Sequence, residues 1–569
     1  MKTIRPLLYY QLSIKNFSAY QGFLNKRPKK IRALKFSTQE TPYGSAKNKN
    51  DETKLFKVLS TLRSLREVDL SQTQLEQTYF GKCRLLSAFK KISKVKTIFM
   101  SRRLKAEEKD TFTEESLKCF PQIQFFSYHL TLQSYKNGED VQIADVRFPL
   151  KFLRYCRKLQ NFLLSDDQRC YSFQKVKMSL RYLHHFLSSP LSPRHPAKYL
   201  SELISVQFLF YNFCPEFYQE SMKLLSKLPN LQEIDLWLIC YFSTLDLEKA
   251  LKKIAEKGIL KKVKLVFKLA ILNLEGVLKA LSHSQLTSFS LKTFTYGDQL
   301  LAPLALLLKK MNQLKSLDLE ITNKLHFTTL NKICKQISKL KFLRHLKFAF
   351  NSQGKFMKDQ RLSNFLPYLH HLFTKPIKLK TLHFSCNQVN APGTHLDLIT
   401  ALQPLQTSLY KLEIDLGTQL HHQRFIHFTA KFVETLAHIQ VLKLPSLTIK
   451  ENKSLKMITK AVLELQHLET LFLGHIEKTV KVAVFLTNME MLFCKRGLKK
   501  FSCCLPDGIW KKLRENRRKG RIYPPDLKQI IKANPDLENV CFYSFYCGEK
   551  DYRVIHQWRS IWTNESPFG

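Results

Sequence analysis

Apolar residues along this chain recur in one local order. Its clearest instance runs from Leu340 to Asn351: leucines three apart at Leu340, Leu343 and Leu346, one alternation to Phe348, then Asn351. Side chains of a strand alternate between its two faces, so Leu346 and Phe348 are predicted to enter a core and His345, Lys347 and Ala349 to face solvent. Asn351 is placed to satisfy backbone groups where the chain turns back. The same order begins at residues 28, 62, 92, 120, 156, 200, 228, 257, 283, 311, 340, 376, 406, 436, 465, 495 and 534. Ten of the sixteen intervals between these starts measure 28 to 30 residues, which sets one structural period rather than a scatter of unrelated strands. Equivalent core pairs include Ile234/Leu236, Val263/Leu265, Leu317/Leu319, Leu382/Phe384, Leu412/Ile414 and Leu471/Leu473.

A period near 29 leaves about 15 to 20 residues between strands, and these read as helices. Leu330, Ile333, Cys334 and Ile337 fall at i, i+3, i+4 and i+7, as do Leu247, Leu251 and Ile254 at i, i+4 and i+7, and Thr328-Thr329 is the expected cap of the former helix. The repeated L-x-x-L-x-x-L-x-F-x-x-N order resembles a leucine-rich repeat. Long units with helical return segments are similar to the ribonuclease-inhibitor class of that family. The resemblance implies an α/β solenoid, a horseshoe with a parallel sheet on its concave face and helices on its convex face. The Asn is clear only at Asn351 and Asn387. Three segments are predicted: a cap helix over residues 1–27, about 17 repeat units over 28–545, and a C-terminal cap or tail over 546–569.

Four intervals are long and hold polar or proline-bearing insertions, at Gln133–Asp145, Ser188–Pro196, Ser352–Arg361 and Arg514–Asp526. Such insertions map to loops in repeat proteins, often at a binding edge.

Charge changes the picture more than composition does. The chain of 569 residues carries 92 Lys and Arg against 46 Asp and Glu, a net charge of +46 that raises nucleic acid, an anionic membrane or an acidic protein as partner classes. Sorted by repeat position, the excess is not on the concave strands, where eight basic residues face eight acidic ones. It lies in the entry segments before the strands, whose non-core positions hold 17 basic and 4 acidic residues and predict a positive rim. Arg63, Arg66, Lys341, Arg344, Lys378 and Lys380 belong to this candidate anion-binding edge, and Lys511, Lys512, Arg517, Arg518 and Lys519 form a dense basic insertion beside it.

On the concave face, Glu233, Asp235 and Trp237 alternate along one strand and Lys262 and Lys264 occupy the next. With Asp318, Glu320 and Lys347, they are the candidate partner-binding residues. An exposed Trp among paired charges is a typical interaction anchor, although the charges could pair with one another and Trp237 could fold back onto Leu209.

Catalytic chemistry has no counterpart in the motifs. No glycine-rich phosphate loop and no H-E-x-x-H segment is present. The pairs His184-His185, His370-His371 and His421-His422 are adjacent, which on a helix sends the rings about 100° apart and makes poor metal sites. No catalytic residue, metal or cofactor is expected. Thirteen cysteines without C-x-x-C spacing predict free thiols, with Cys494, Cys503 and Cys504 as core residues in a reducing, intracellular setting, cytoplasmic first and nuclear second. The nuclear reading draws on Lys26-Arg27-Pro28-Lys29-Lys30. The acid-free stretch before Glu40 resembles a mitochondrial presequence, a third reading that residues 1–27 as a retained cap would exclude. No stretch is long and apolar enough to predict a membrane span. Repeat proteins of this class include activators of the small GTPase Ran, whose acidic tail is missing here, and F-box proteins, for whose domain 27 residues are too few. The expected function is therefore a non-catalytic scaffold that binds a protein on its concave face. The alternative is an RNA- or ribonucleoprotein-associated chain that binds phosphate through the basic rim. Neither reading sets an oligomeric state.

Overall fold

The computed structural model describes residues 9–13, 33–37, 67–72, 97–104, 124–132, 160–167, 203–210, 215–238, 244–267, 274–293, 301–321, 327–350, 366–374, 378–386, 400–415, 423–505, 536–545 and 552–558. It divides into two compact units, residues 1–285 and 286–569.

In the first unit nine strands pair in parallel in chain order: β1 (Tyr9–Ser13), β2 (Ala33–Ser37), β3 (Glu67–Gln72), β4 (Thr97–Leu104), β5 (Phe125–Leu132), β6 (Asn161–Asp167), β7 (Ser205–Phe210), β8 (Glu233–Leu238) and β9 (Lys262–Phe267). Helices α1 (Pro215–Lys227), α2 (Thr244–Glu256) and α3 (Glu275–Leu281) alternate with the later strands. The core forms as the pattern dictates. In α2, Leu247, Ala250, Leu251, Ile254 and Ala255 are buried on one face, with Asp246 in the first turn and Lys253 in the last, each charge complementing the helix dipole.

The second unit repeats the plan. Parallel strands β10 (Ser288–Thr293), β11 (Ser316–Ile321), β12 (His345–Phe350), β13 (Thr381–Cys386), β14 (Lys411–Asp415), β15 (Val441–Ile449), β16 (Thr470–Ile476), β17 (Lys500–Leu505) and β18 (Asn539–Phe545) pair in order, and β19 (Tyr552–Trp558) lies antiparallel against β18. Between them run α4 (Leu301–Lys310), α5 (Phe327–Ile337), α6 (Leu366–Thr374), α7 (Gln423–Glu434), α8 (Asn452–Leu463) and α9 (Val482–Phe493). Leu317, Leu346, Leu382, Leu412, Leu442 and Leu471 stand in register across six strands, all buried. This alternation of buried-leucine strand and helix at a constant period is an α/β leucine-rich repeat solenoid.

The register is fixed just ahead of each strand. One entry-segment carbonyl accepts two N–H groups from the next repeat: Lys315 O takes Arg344 N (2.8 Å) and His345 N (3.1 Å), and Arg344 O takes Lys380 N (2.8 Å) and Thr381 N (3.0 Å). Gln232 O does the same for Lys261 N and Lys262 N in the first unit. Two starts carry Lys where the pattern calls for an apolar residue, and the structure supplies the reason. Lys257 Nζ reaches the carbonyls of Ser226 (3.0 Å) and Leu228 (2.7 Å) at the end of α1, and Lys495 Nζ reaches Leu463 O (2.9 Å) at the end of α8. Each lysine thus satisfies orphan carbonyls of the preceding helix, where a cation is favoured.

Four expectations change, the first at Ala349, which is predicted to face solvent and is instead buried. Within 1–27, where a cap helix is predicted, Tyr9–Ser13 are a strand paired in parallel with Ala33–Ser37. Leu8, Tyr10 and Leu12 alternate with Tyr9, Gln11 and Ser13, a period of two that suits a strand and not a helix. Thr328 and Thr329 do not cap α5, because that helix already includes Phe327. Cys494, predicted to be a core thiol, is exposed just past α9, whereas Cys503 and Cys504 are buried in β17. Asn351, Asn387, the four insertions and the remainder of 1–27 lie outside the described residues. Among the described residues, no helix is long and apolar enough to cross a membrane.

Candidate functional site

Two groups of predicted partner-binding residues lie on the open face of the strands, one in each unit. In the first unit the predicted neighbours meet: Glu233 is in register with Lys262, and Asp235 with Lys264. Lys262 Nζ lies 2.6 Å from Glu233 Oε1, and Lys264 Nζ lies 3.3 Å from Asp235 Oδ2. Trp237 is half-buried. Its indole Nε1–H donates to Asp235 Oδ1 at 2.8 Å, and Lys264 Nζ stands 4.8 Å from the ring centroid, in cation–π range. Asp235 accepts a further hydrogen bond from Gln207 Nε2 at 3.0 Å, a residue that the sequence alone does not single out. Burial pushes the Asp235 carboxyl up from its ordinary value, while the Lys264 charge and the bonds from Lys264 and Trp237 pull it down. The position of Trp237 follows from β8 itself, whose buried side chains are Ile234, Leu236 and Leu238. Trp237 is in register with Leu209 of β7.

In the second unit Glu320 of β11 lies between two lysines. It forms an ion pair with Lys292 of β10 and lies 3.6 Å from Lys347 Nζ of β12. Asp318 accepts a hydrogen bond from Ser290 Oγ at 3.1 Å. Two strands on, His383 Nδ1 and Lys443 Nζ flank Glu413 Oε2 at 3.6 and 3.5 Å. Burial, then the Lys347 charge, hold the His383 imidazole below its ordinary value against the pull of Glu413, Asp415 and Asp318. His383, Glu413 and Lys443 therefore join the pattern that Asp318, Glu320 and Lys347 begin. Their pairing depends on which repeats are neighbours, which no single unit reveals.

Along the entry segments, the described basic residues differ in exposure. Lys341, Lys378 and Lys380 are exposed and Arg344 is half-buried. Arg63, Arg66, Lys511, Lys512, Arg517, Arg518 and Lys519 lie outside the described residues. At the far end of the rim the charge is mixed: Lys499 Nζ pairs with Glu469 Oε1 at 2.8 Å, and Glu538 and Asp536 follow. That pair also shows that side chains one repeat apart in this column come within contact distance.

Of the adjacent histidine pairs, His370 and His371 are exposed on α6, and the other two pairs lie outside the described residues. Among the described residues, no group of three His, Cys, Asp or Glu is arranged to hold a metal ion.

No family model matches the sequence, and no curated protein matches it. Among solved structures, the chain is similar to one in the crystal structure of the Rad7 and Elc1 complex in yeast, at 13% identity over 85% of this chain and 92% of that one, with a TM-score of 0.37. It is also similar to a chain of the TLR13–ssRNA13 complex at 15% identity, 84% and 65% coverage and TM-score 0.29. A chain of the Toll–Spatzle complex from Drosophila aligns at 12% identity, 85% and 54% coverage and TM-score 0.30. This chain thus spans less than two thirds of the TLR13 and Toll chains. By its own register of buried leucines and its strand–helix period, the chain has the leucine-rich repeat fold.

Proposed function

We propose that this chain is a non-catalytic, intracellular scaffold that docks a protein partner on the open face of its strands. The observation that supports it most is the state of Trp237. Its ring is held by Asp235 and capped by Lys264, while part of its surface stays accessible. A ring that is already fixed loses little side-chain entropy on binding, and Trp is the residue most enriched among interface anchors. Glu233, Lys262, Asp235 and Lys264 surround it with alternating charge, which gives direction to a polar partner rather than bulk affinity. The intracellular setting fits the five free cysteines among the described residues, four of them buried.

The test is partner capture by crosslinking under nuclease treatment with the full chain, its Trp237→Ala variant and a Lys453→Ala control on α8. The expected result is a partner retained by wild type and control and reduced about tenfold by the Trp variant, equivalent to about 1.4 kcal/mol. Unchanged capture by a folded Trp237→Ala chain would remove this face from the reading. The alternative, RNA-associated reading is supported by a different surface, a limited run of the rim in the second unit.

A further inference from the structure

Five successive entry segments of the second unit, residues 311–315, 340–344, 376–380, 406–410 and 436–440, contain no Asp or Glu. They carry Lys315, Lys341, Arg344, Lys378 and Lys380. Among the described residues none of these five forms an ion pair, although Lys499 and Glu469 show that this column brings neighbours into contact. The bifurcated backbone bonds stack Lys315, Arg344, Lys380 and Tyr410 as consecutive members of one column, about 4.8 Å apart per repeat. Three adjacent cations repel one another unless an anion lies across them. The local field is visible on His345, whose imidazole is held down by burial and then by Lys380 and Arg344.

Aromatic groups lie among the cations. Phe342 is 52% exposed and Tyr410 36% exposed, two of the few large apolar or aromatic side chains in solvent among the described residues. His438 and His467, both exposed, stack at 6.2 Å between centroids with 27° between planes. Beyond them Glu469 ends the run.

We propose that this acid-free run, from Lys315 through Arg344, Lys380 and Tyr410 to His438, binds single-stranded RNA, with the cation column on the phosphates and Phe342 and Tyr410 stacking on bases. It rests on the phosphate-binding alternative and sharpens it. A regular column of point charges and one guanidinium matches a polyanion of regular charge spacing, and exposed rings fit unpaired bases, whereas a duplex keeps its base faces stacked inside. An acidic peptide would use the cations and leave the rings without a role.

The experiment measures binding of a fluorescent single-stranded RNA to the full chain across salt concentrations. With five phosphates neutralised, the slope of log affinity against log salt is about −3.5. The triple variant Lys315→Glu, Arg344→Glu, Lys380→Glu is expected to lose at least about 30-fold and to flatten the slope. A control, Lys431→Glu, Lys453→Glu, Lys460→Glu on helices α7 and α8, removes the same charge and is expected to lose under about 3-fold. Equal losses in the two triples would overturn the site, because the net charge alone would then account for binding. Absence of binding by wild type at low salt would overturn it as well. Phe342→Ala with Tyr410→Ala is expected to weaken single-stranded RNA about 10-fold and duplex RNA little. If that variant binds as wild type does, or if duplex RNA or polyglutamate competes equally, the single-stranded assignment fails while phosphate binding by the rim stands. Should the glutamate triple not fold, Arg344→Gln with Lys380→Gln provides the same comparison with a smaller change in charge.

Discussion

The indole of Trp237 and the carboxylate of Asp235 sit two residues apart on one strand and share a hydrogen bond of 2.8 Å. The carboxylate is what fixes the ring, so its protonation reports on the site. Burial raises the Asp235 pKa above its ordinary value of 3.8. An acid whose folded pKa is raised contributes stability that is complete below the unfolded value and lost as pH rises through the folded one. Acidification from neutral pH should therefore discharge Asp235 above 3.8, weaken Lys264 at 3.3 Å and change Trp237 emission. The measurement is the fluorescence difference between wild type and Trp237→Phe across pH. A midpoint at or below 3.8 would contradict the buried setting of this carboxyl.

His383 should titrate in the opposite sense. Its imidazole is held below 6.5 by burial and by Lys347, with Glu413, Asp415 and Asp318 opposing. A depressed base contributes stability that is present above the unfolded pKa and lost as pH falls through the folded one. NMR titration should place His383 below 6.5, and His383→Gln should remove part of the acid destabilisation beneath that pH. A His383 value above 6.5 would show that the three carboxylates win.

The buried leucine register carries the fold. Leu346 is in register with Leu317 and Leu382, and all three are buried. Leu346→Ala should cost about 2–5 kcal/mol, depending on how far the repeat collapses into the cavity. Because neighbouring repeats support one another directly, the loss should appear first in hydrogen exchange of amides in β11, β12 and β13. A change under about 1 kcal/mol would be too small for a packed position.

Two glycines should respond differently to alanine. Gly258, past the end of α2, has φ +71° and open space around a would-be Cβ, so only backbone strain opposes substitution, about 1 kcal/mol. Gly474 of β16 faces the irregular stretch of β15 between Leu444 and Thr448, where a Cβ would come within 2.3 Å of Leu447 O and 2.5 Å of Pro445 O. Those contacts are backbone atoms that cannot swing aside, so Gly474→Ala should cost about 3 kcal/mol. Thermal melts of the two variants separate these causes; equal shifts would argue against the close approach.

The sequence by itself determined the repeat, its period and the inward leucines, because alternation along a strand and the i, i+3, i+4 face of a helix are local rules that each unit obeys separately. It also sorted charge between strands and rim, since solvent-facing positions follow from the same periodicity. What it could not determine depends on contact between units. Tyr9–Ser13 became a strand because Ala33–Ser37 offered an edge to pair with. Lys257 and Lys495 were anomalies in the pattern until helix ends of the preceding repeats appeared within reach of their ammonium groups. That Gly474 makes room for the irregular stretch of β15 around Pro445 is also a fact of pairing. Likewise, a rim of 17 basic positions reads as uniform in sequence, whereas stacking decides that Lys499 is neutralised by Glu469 and that Lys315, Arg344 and Lys380 stand beside one another without an acid. Electrostatic energy depends on the distance between side chains, and in a repeat protein that distance is set across the ladder, between residues about 29 positions apart in the chain.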